Sequence, residues 1–129
     1  LRCIYSVLPH MKNQKDGHIV NIASVDGKEI FAGGAVYGAS KAAVIELSKA
    51  MRMELSPEYN IRVTAIEPGT VETDLRDDIT DEELLNDKNY GGDEPKLAAE
   101  NIADAVLYAV SQPESVNVNE LLVKPTGKS

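Results

Sequence analysis

The sequence predicts an α/β fold, a doubly wound parallel sheet of three strands with flanking helices. Two observations predict it. Short, largely apolar runs at residues 18–23, 61–66 and 118–123 alternate with long helical periods. The segments joining these runs are far longer than a hairpin turn, so neighbouring strands run parallel through helical crossovers.

Residues 1–12 read as a helix already under way, so the chain is expected to begin inside a fold. Lys15-Asp16-Gly17 is a turn signal. Residues 18–23 form a strand that Ser24 ends. Ile19, Val20 and Ile22 make it apolar enough to be central, which implies further strands on its amino-terminal side. Residues 25–36, with Gly27, Gly33 and Gly34, read as a loop. From Val36 to Leu55 the apolar positions Ala39, Ala42, Ala43, Ile45, Leu47, Ala50 and Met51 keep helical spacing, and Ser56-Pro57 is expected to stop the helix. Residues 61–66 form the second strand, closed by Pro68-Gly69. Residues 70–96 are acidic and irregular, with one short helical stretch near Asp81 to Asn86. Residues 97–111 return to helical spacing, and 118–123 form the last strand.

The 129 residues suit one domain or part of one. Composition is ordinarily globular, 43% hydrophobic and 26% charged. A formal charge of −8 argues against nucleic acid and anionic membrane as partners. The acid is concentrated between Glu67 and Glu94. Cys3 is the only cysteine, so no internal disulfide forms and no cysteine cluster can hold a metal; a reducing, cytoplasmic setting fits. No apolar run approaches the roughly 18 residues that span a bilayer.

The chemistry is concentrated in Tyr37-Gly38-Ala39-Ser40-Lys41. Four residues apart on a helix, Tyr37 and Lys41 share one face. A fixed ammonium favours the phenolate, so the pair can give a proton to an alcohol oxygen or take one from it. Alone, the spacing is ordinary surface patterning. In a parallel sheet, however, ligands sit beyond the carboxyl ends of the strands. Ser24 and Pro68-Gly69 each follow directly on a strand, and so fall on the rim that carries the start of the Tyr37 helix.

Three blocks occur in order: residues 18–24, ending at Ser24; Tyr37-Gly-Ala-Ser-Lys41; and residues 62–73, with Pro68-Gly69 and Thr73. Together they resemble the carboxyl-terminal half of a short-chain dehydrogenase/reductase of the compact branch. The separation of Ser24 from Tyr37 is the usual one for that branch. The resemblance runs the length of the chain and implies one partial domain over 1–129, the catalytic half of a Rossmann-type sheet. It also implies that the amino-terminal dinucleotide-binding half lies outside this chain, with its glycine-rich phosphate turn and the residue that selects NAD or NADP.

The resemblance implies an oxidoreductase that moves a hydride between NAD(P) and a small carbonyl or secondary-alcohol substrate. Tyr37 is then the general acid or base. Lys41 favours its phenolate and bonds the nicotinamide ribose. Ser24 donates to the substrate oxygen as charge develops there. Pro68 and Gly69 let backbone approach the nicotinamide, Val71 meets its carboxamide, and Thr73 contacts the amide or the pyrophosphate. No metal is implied. Residues 67–76 and 117–126 are similar to bacterial members acting on small hydroxy acids or related alcohols, which points to NADP, with NAD as the alternative. Helices 1–12 and 36–55 correspond to those that pair subunits in the family, implying a homodimer or homotetramer. The competing expectation is a non-catalytic fragment that only associates or binds weakly, and the chain alone is expected to be inactive.

Plainer readings stand beside these. Ser24 alone reads as a turn cap, and Thr73 as a cap for the segment starting at Asp74. Tyr5, Tyr59, Tyr90 and Tyr108 read as packing or surface residues, His10 and His18 as solvated or locally bonded. Asn21 is expected to bond neighbouring backbone. The acidic stretch 74–94 reads as a solvated flap which, in the family, covers the substrate.

Overall fold

A computed structural model describes residues 1–29, 31–86 and 95–127. The elements are α1 (Arg2–Gln14), β1 (Gly17–Ile22), α2 (Ala35–Tyr59), β2 (Ile61–Pro68), α3 (Glu82–Asn86), α4 (Ala99–Val110) and β3 (Glu120–Val123), with 3₁₀ turns at Val25–Gly27 and Asp74–Arg76. The sheet order is β1-β2-β3 and both pairings are parallel. β1 and β2 run in register from Gly17↔Ile61 to Ile22↔Ile66, and β2 and β3 from Ala65↔Glu120 to Pro68↔Val123. All three strands therefore end on one rim.

β2 is the buried centre. Its residues alternate between two covered faces, as expected for a strand between helical layers. Ile61 and Val63 join Ile19 of β1 and Met51 and Leu55 of α2 in the core, with Ile4, Leu8 and Met11 of α1 packed against it. On the other face Arg62 Nη1 donates to Gln112 O, just past α4, at 3.0 Å.

Several boundaries differ from the sequence expectation for identifiable reasons. Ser56-Pro57 does not stop α2, which continues to Tyr59. Pro57 removes one N–H from the last turn. The turn is held instead by Ser56 Oγ donating to Ile61 O at 2.8 Å and by Tyr59 packing on the core, with the Lys12 ammonium 4.7 Å over its ring. Asn60 then ends the helix in the left-handed region at φ 54, which Asn tolerates. Helix α4 starts at Ala99 rather than 97, because Leu97 is drawn into a parallel bridge with Val71. Residues 25–36 are not wholly loop, since a 3₁₀ turn follows Ser24 at once. Asn21 donates to the Ser48 hydroxyl at 2.9 Å, not to neighbouring backbone, and Ser48 Oγ donates to Val44 O at 2.8 Å. Of the three described strands β1 lies at one edge, and Ile22 is 47% exposed there. Tyr5 and Tyr108 are exposed. Tyr90 and the acidic stretch over 87–94 lie outside the described residues.

His18 is locally bonded, and its geometry gives it a pH signature. Thr64 Oγ1 donates to Val118 O at 2.7 Å, so its one proton is used. The 2.7 Å contact from His18 Nε2 to the same oxygen must then be donated by the imidazole. Nδ1 is left buried with no hydrogen-bond partner among the described residues. Burial, and secondarily Arg62, hold the imidazole below its ordinary value of 6.5. In the window below 6.5 the unfolded chain binds the proton more readily than the folded one. The contribution to stability is therefore complete above 6.5 and is lost as pH falls through the folded value. Urea unfolding across that window should show stability falling with pH, and His18→Gln should flatten the slope. An unchanged slope would contradict this account.

Candidate functional site

β2 runs two residues past the last paired position, Ile22↔Ile66, so the residues that follow β1 meet its end. Ser24 begins the 3₁₀ turn, its hydroxyl accepting from Asp26 N at 3.2 Å, so it does cap a turn. The same hydroxyl faces the end of β2 and donates to Pro68 O at 3.5 Å, the limit of a hydrogen bond. Helix α2 starts opposite. Tyr37 and Lys41 stand in its first two turns, and Lys41 Nζ lies 5.5 Å from the centre of the Tyr37 ring. Lys41 Nζ also reaches across to donate to Ile22 O at 3.3 Å, tying α2 to the end of β1. Tyr37 keeps 39% of its surface exposed.

Two glycines allow this approach. A Cβ on Gly27 would lie 2.9 Å from both Ala42 N and Lys41 C, and one on Gly38 would lie 2.9 Å from Asp26 O. Gly38 costs α2 about 0.5–1 kcal/mol relative to Ala. In return the turn carrying Ser24 rests directly on the helix carrying Tyr37 and Lys41.

The third wall follows β2. Gly69 N donates to Val123 O at 2.8 Å, holding the Pro68-Gly69 turn against β3. Leu97 N donates to Thr70 O at 2.8 Å, and Leu97 O accepts from Glu72 N at 2.9 Å. That bridge brings the start of α4 to the rim. Thr73 Oγ1 accepts from Leu75 N at 3.4 Å and so caps the second 3₁₀ turn. All seven predicted positions, Ser24, Tyr37, Lys41, Pro68, Gly69, Val71 and Thr73, line one cavity of about 550 Å3, within the range of small-molecule sites. Ile22, Leu75, Ile79, Ala99 and Ile102 add apolar wall.

One part of the rim escapes the sequence reading. Glu67 belongs by position to the acidic segment, yet it is fully buried at the end of β2. Lys28 Nζ lies 2.9 Å from its Oε2 and 2.7 Å from Glu120 Oε2. Arg52 Nη2 pairs with Glu120 Oε1 at 3.3 Å. Hydrogen bonding to Glu120, then to Glu67, raises the Lys28 ammonium above its ordinary range. The Lys28 hydrogen bond holds Glu120 below the usual carboxylate range. The available signal was a carboxylate directly after the apolar Ala65-Ile66 of a central strand, which when buried demands a cation. Among the described residues no cluster of three or more His, Cys, Asp or Glu could hold a metal ion. No helix among them is long and apolar enough to cross a membrane.

A parallel open sheet with this rim belongs to a known class. The family model for short chain dehydrogenases matches residues 1–84, and the chain belongs to that family. It is 43% identical over 134 residues to an uncharacterized oxidoreductase of Listeria monocytogenes, covering 99% of this chain and 52% of the relative. Among solved structures, the closed form of serine dehydrogenase complexed with NADP+ superposes with a TM-score of 0.85 at 35% identity, over 97% of this chain and 50% of that one. A 4-hydroxyisoleucine dehydrogenase complexed with NADH gives a TM-score of 0.73 at 28% identity, over 95% and 52%. The sheet resembles the Rossmann fold of these structures. The chain spans about half the length of the curated relatives it matches.

Proposed function

We propose that the whole protein is an NAD(P)-dependent oxidoreductase, with NADP preferred, acting on a small carbonyl or secondary-alcohol substrate with Tyr37 as general acid and base. The observation that carries this reading is the meeting of Ser24, Tyr37 and Lys41 in one cavity, with the ammonium beside the phenol ring. When bound, the nicotinamide supplies or accepts the hydride at the substrate carbon.

The chain's own residues do the rest. In reduction Tyr37 Oη gives its proton to the substrate oxygen, and in oxidation it takes that proton back. Lys41 stabilises the phenolate left behind. Its ammonium has three donors, and its hydrogen bond to Ile22 O uses one, so the remainder suit the vicinal hydroxyls of a ribose. The long contact from Ser24 to Pro68 O is weak enough to be exchanged for a substrate oxygen gaining charge. The bridge to Leu97 uses Thr70 O and Glu72 N, which leaves the Val71 amide groups for a carboxamide. Pro68, Gly69 and Thr73 complete the cofactor side. Assembly as a homodimer or homotetramer belongs to the same reading.

The test is transfer of label. The whole protein is given NADPH or NADH carrying deuterium at both C4 positions, with a panel of small ketones and keto acids. Deuterium is expected on the carbinol carbon of at least one product, and its absence from all of them would refute the reading. Titrating the 129-residue chain alone with NADPH, followed by nucleotide fluorescence, is expected to show no saturable binding. Saturable binding would mean that the site described here is self-sufficient.

A further inference from the structure

We propose that Lys28 and the buried Glu67 form a positioning pair, which holds the turn carrying Ser24 against the Pro68-Gly69 turn and so sets the shape of the cavity. The inference rests on the reading of that cavity as an active site. Neither residue lines it.

The direct contact between the two turns, Ser24 Oγ to Pro68 O, is 3.5 Å long and holds little by itself. Lys28 follows the Ser24 turn directly, and its backbone N–H closes that turn onto Val25 O at 2.8 Å. Its side chain crosses to β2 at Glu67, the residue before Pro68-Gly69, and to β3 at Glu120. One ammonium thus joins both rim turns and the strand that anchors Gly69.

The three acidic contacts of this segment are not equal. Glu29 pairs with Lys124 at 2.6 Å, but Glu29 is 58% exposed, and exposed pairs contribute little. Glu120 is one-third exposed and keeps Arg52 when Lys28 is removed. Glu67 is fully buried, and among the described residues Lys28 is the only cation within ion-pair distance of it. Apart from that 2.9 Å contact, neither of its carboxylate oxygens has a hydrogen-bond partner among the described residues. A buried carboxylate stripped of its cation is left as an uncompensated charge, which is strongly destabilising. That weakens the hold of the Ser24 turn on the end of β2, where the Ala23 N to Ile66 O bond at 2.7 Å and the long Ser24 contact remain.

The test separates positioning from simple stability. In the whole protein Lys28→Met is expected to lower kcat by about 10- to 100-fold, the effect of misplacing a reacting group by an ångström or so, with little change in cofactor KM. Lys28→Arg, which keeps the cation, is expected to recover most of the loss. The double variant Lys28→Met/Glu67→Leu removes both charges, and such apolar replacements often restore stability. It is expected to recover Tm but not kcat. Recovery of kcat together with Tm, or an unimpaired Lys28→Met, overturns the proposal. If the wild-type protein shows no NAD(P)-linked turnover, the functional reading fails. Hydrogen exchange then still decides the clasp. Faster exchange of the Asp26 and Gly69 amides in the double variant supports it, and unchanged exchange overturns it.

Discussion

Replacing Tyr37 with Phe should lower turnover by about 100- to 10,000-fold, the usual contribution of one positioned acid or base. The substitution removes one oxygen and keeps the ring. The ring is what Lys41 faces at 5.5 Å, and the Lys41 bond to Ile22 O does not involve the phenol, so the local structure should persist. Tm should therefore be unchanged, and affinity for NADPH, measured by fluorescence titration, largely retained. The loss should appear in kcat, because the proton is transferred only during the chemical step. Turnover near the wild-type level would show that the substrate oxygen exchanges its proton with some other group, and the assigned mechanism would be wrong.

The second large effect is expected from a residue with no chemistry. Gly27→Ala places a methyl group 2.7 Å from Ile45 Cδ1 and 2.9 Å from Ala42 N and Lys41 C. The isoleucine methyl can rotate away. The two backbone atoms cannot move without shifting α2 itself, which is anchored in the core by Met51 and Leu55. Overpacking of this kind costs about 1–3 kcal/mol. Urea unfolding should register that loss. The less costly relaxation is for the turn to lift from the helix, which carries Ser24 away from Tyr37 and Lys41. Activity should then fall further than the change in folded fraction explains. A variant with wild-type stability and wild-type kcat would mean that the close approach has no role in the site.

The sheet was legible because its signal is local and repeated. The runs around Ile19, Ile61 and Leu121 are apolar and short, and the spacing of Ile45, Met51 and Leu55 is helical. What was misread depends on contacts that close only in three dimensions. Pro57 is a helix breaker by local rule, yet Tyr59 packs on the core and keeps the last turn in place. Leu97 fits the helical spacing, yet a bridge to Val71 pulls it out of the helix. Asn21 finds its partner in Ser48, on a different element. Glu67 reads as one more member of an acidic run, and nothing beside it in the sequence indicates that Lys28 covers it.

The residue types and their order were enough to determine the parallel α/β fold and to single out Ser24, Tyr37, Lys41 and the Pro68-Gly69 turn. Backbone periodicity and strand-end turns are properties of neighbouring residues, and a Tyr four residues before a Lys shares its helix face in any helix. Only the tertiary structure decided how those groups meet. Ser24 reaches Pro68 because the parallel register of β1 on β2 carries on past Ile22↔Ile66. The turn it caps rests on α2 because Gly27 and Gly38 carry no side chain. Lys28 finds Glu67 across the sheet rim at 2.9 Å. Such contacts join residues tens of positions apart, and their energies depend on burial, which no stretch of sequence states by itself.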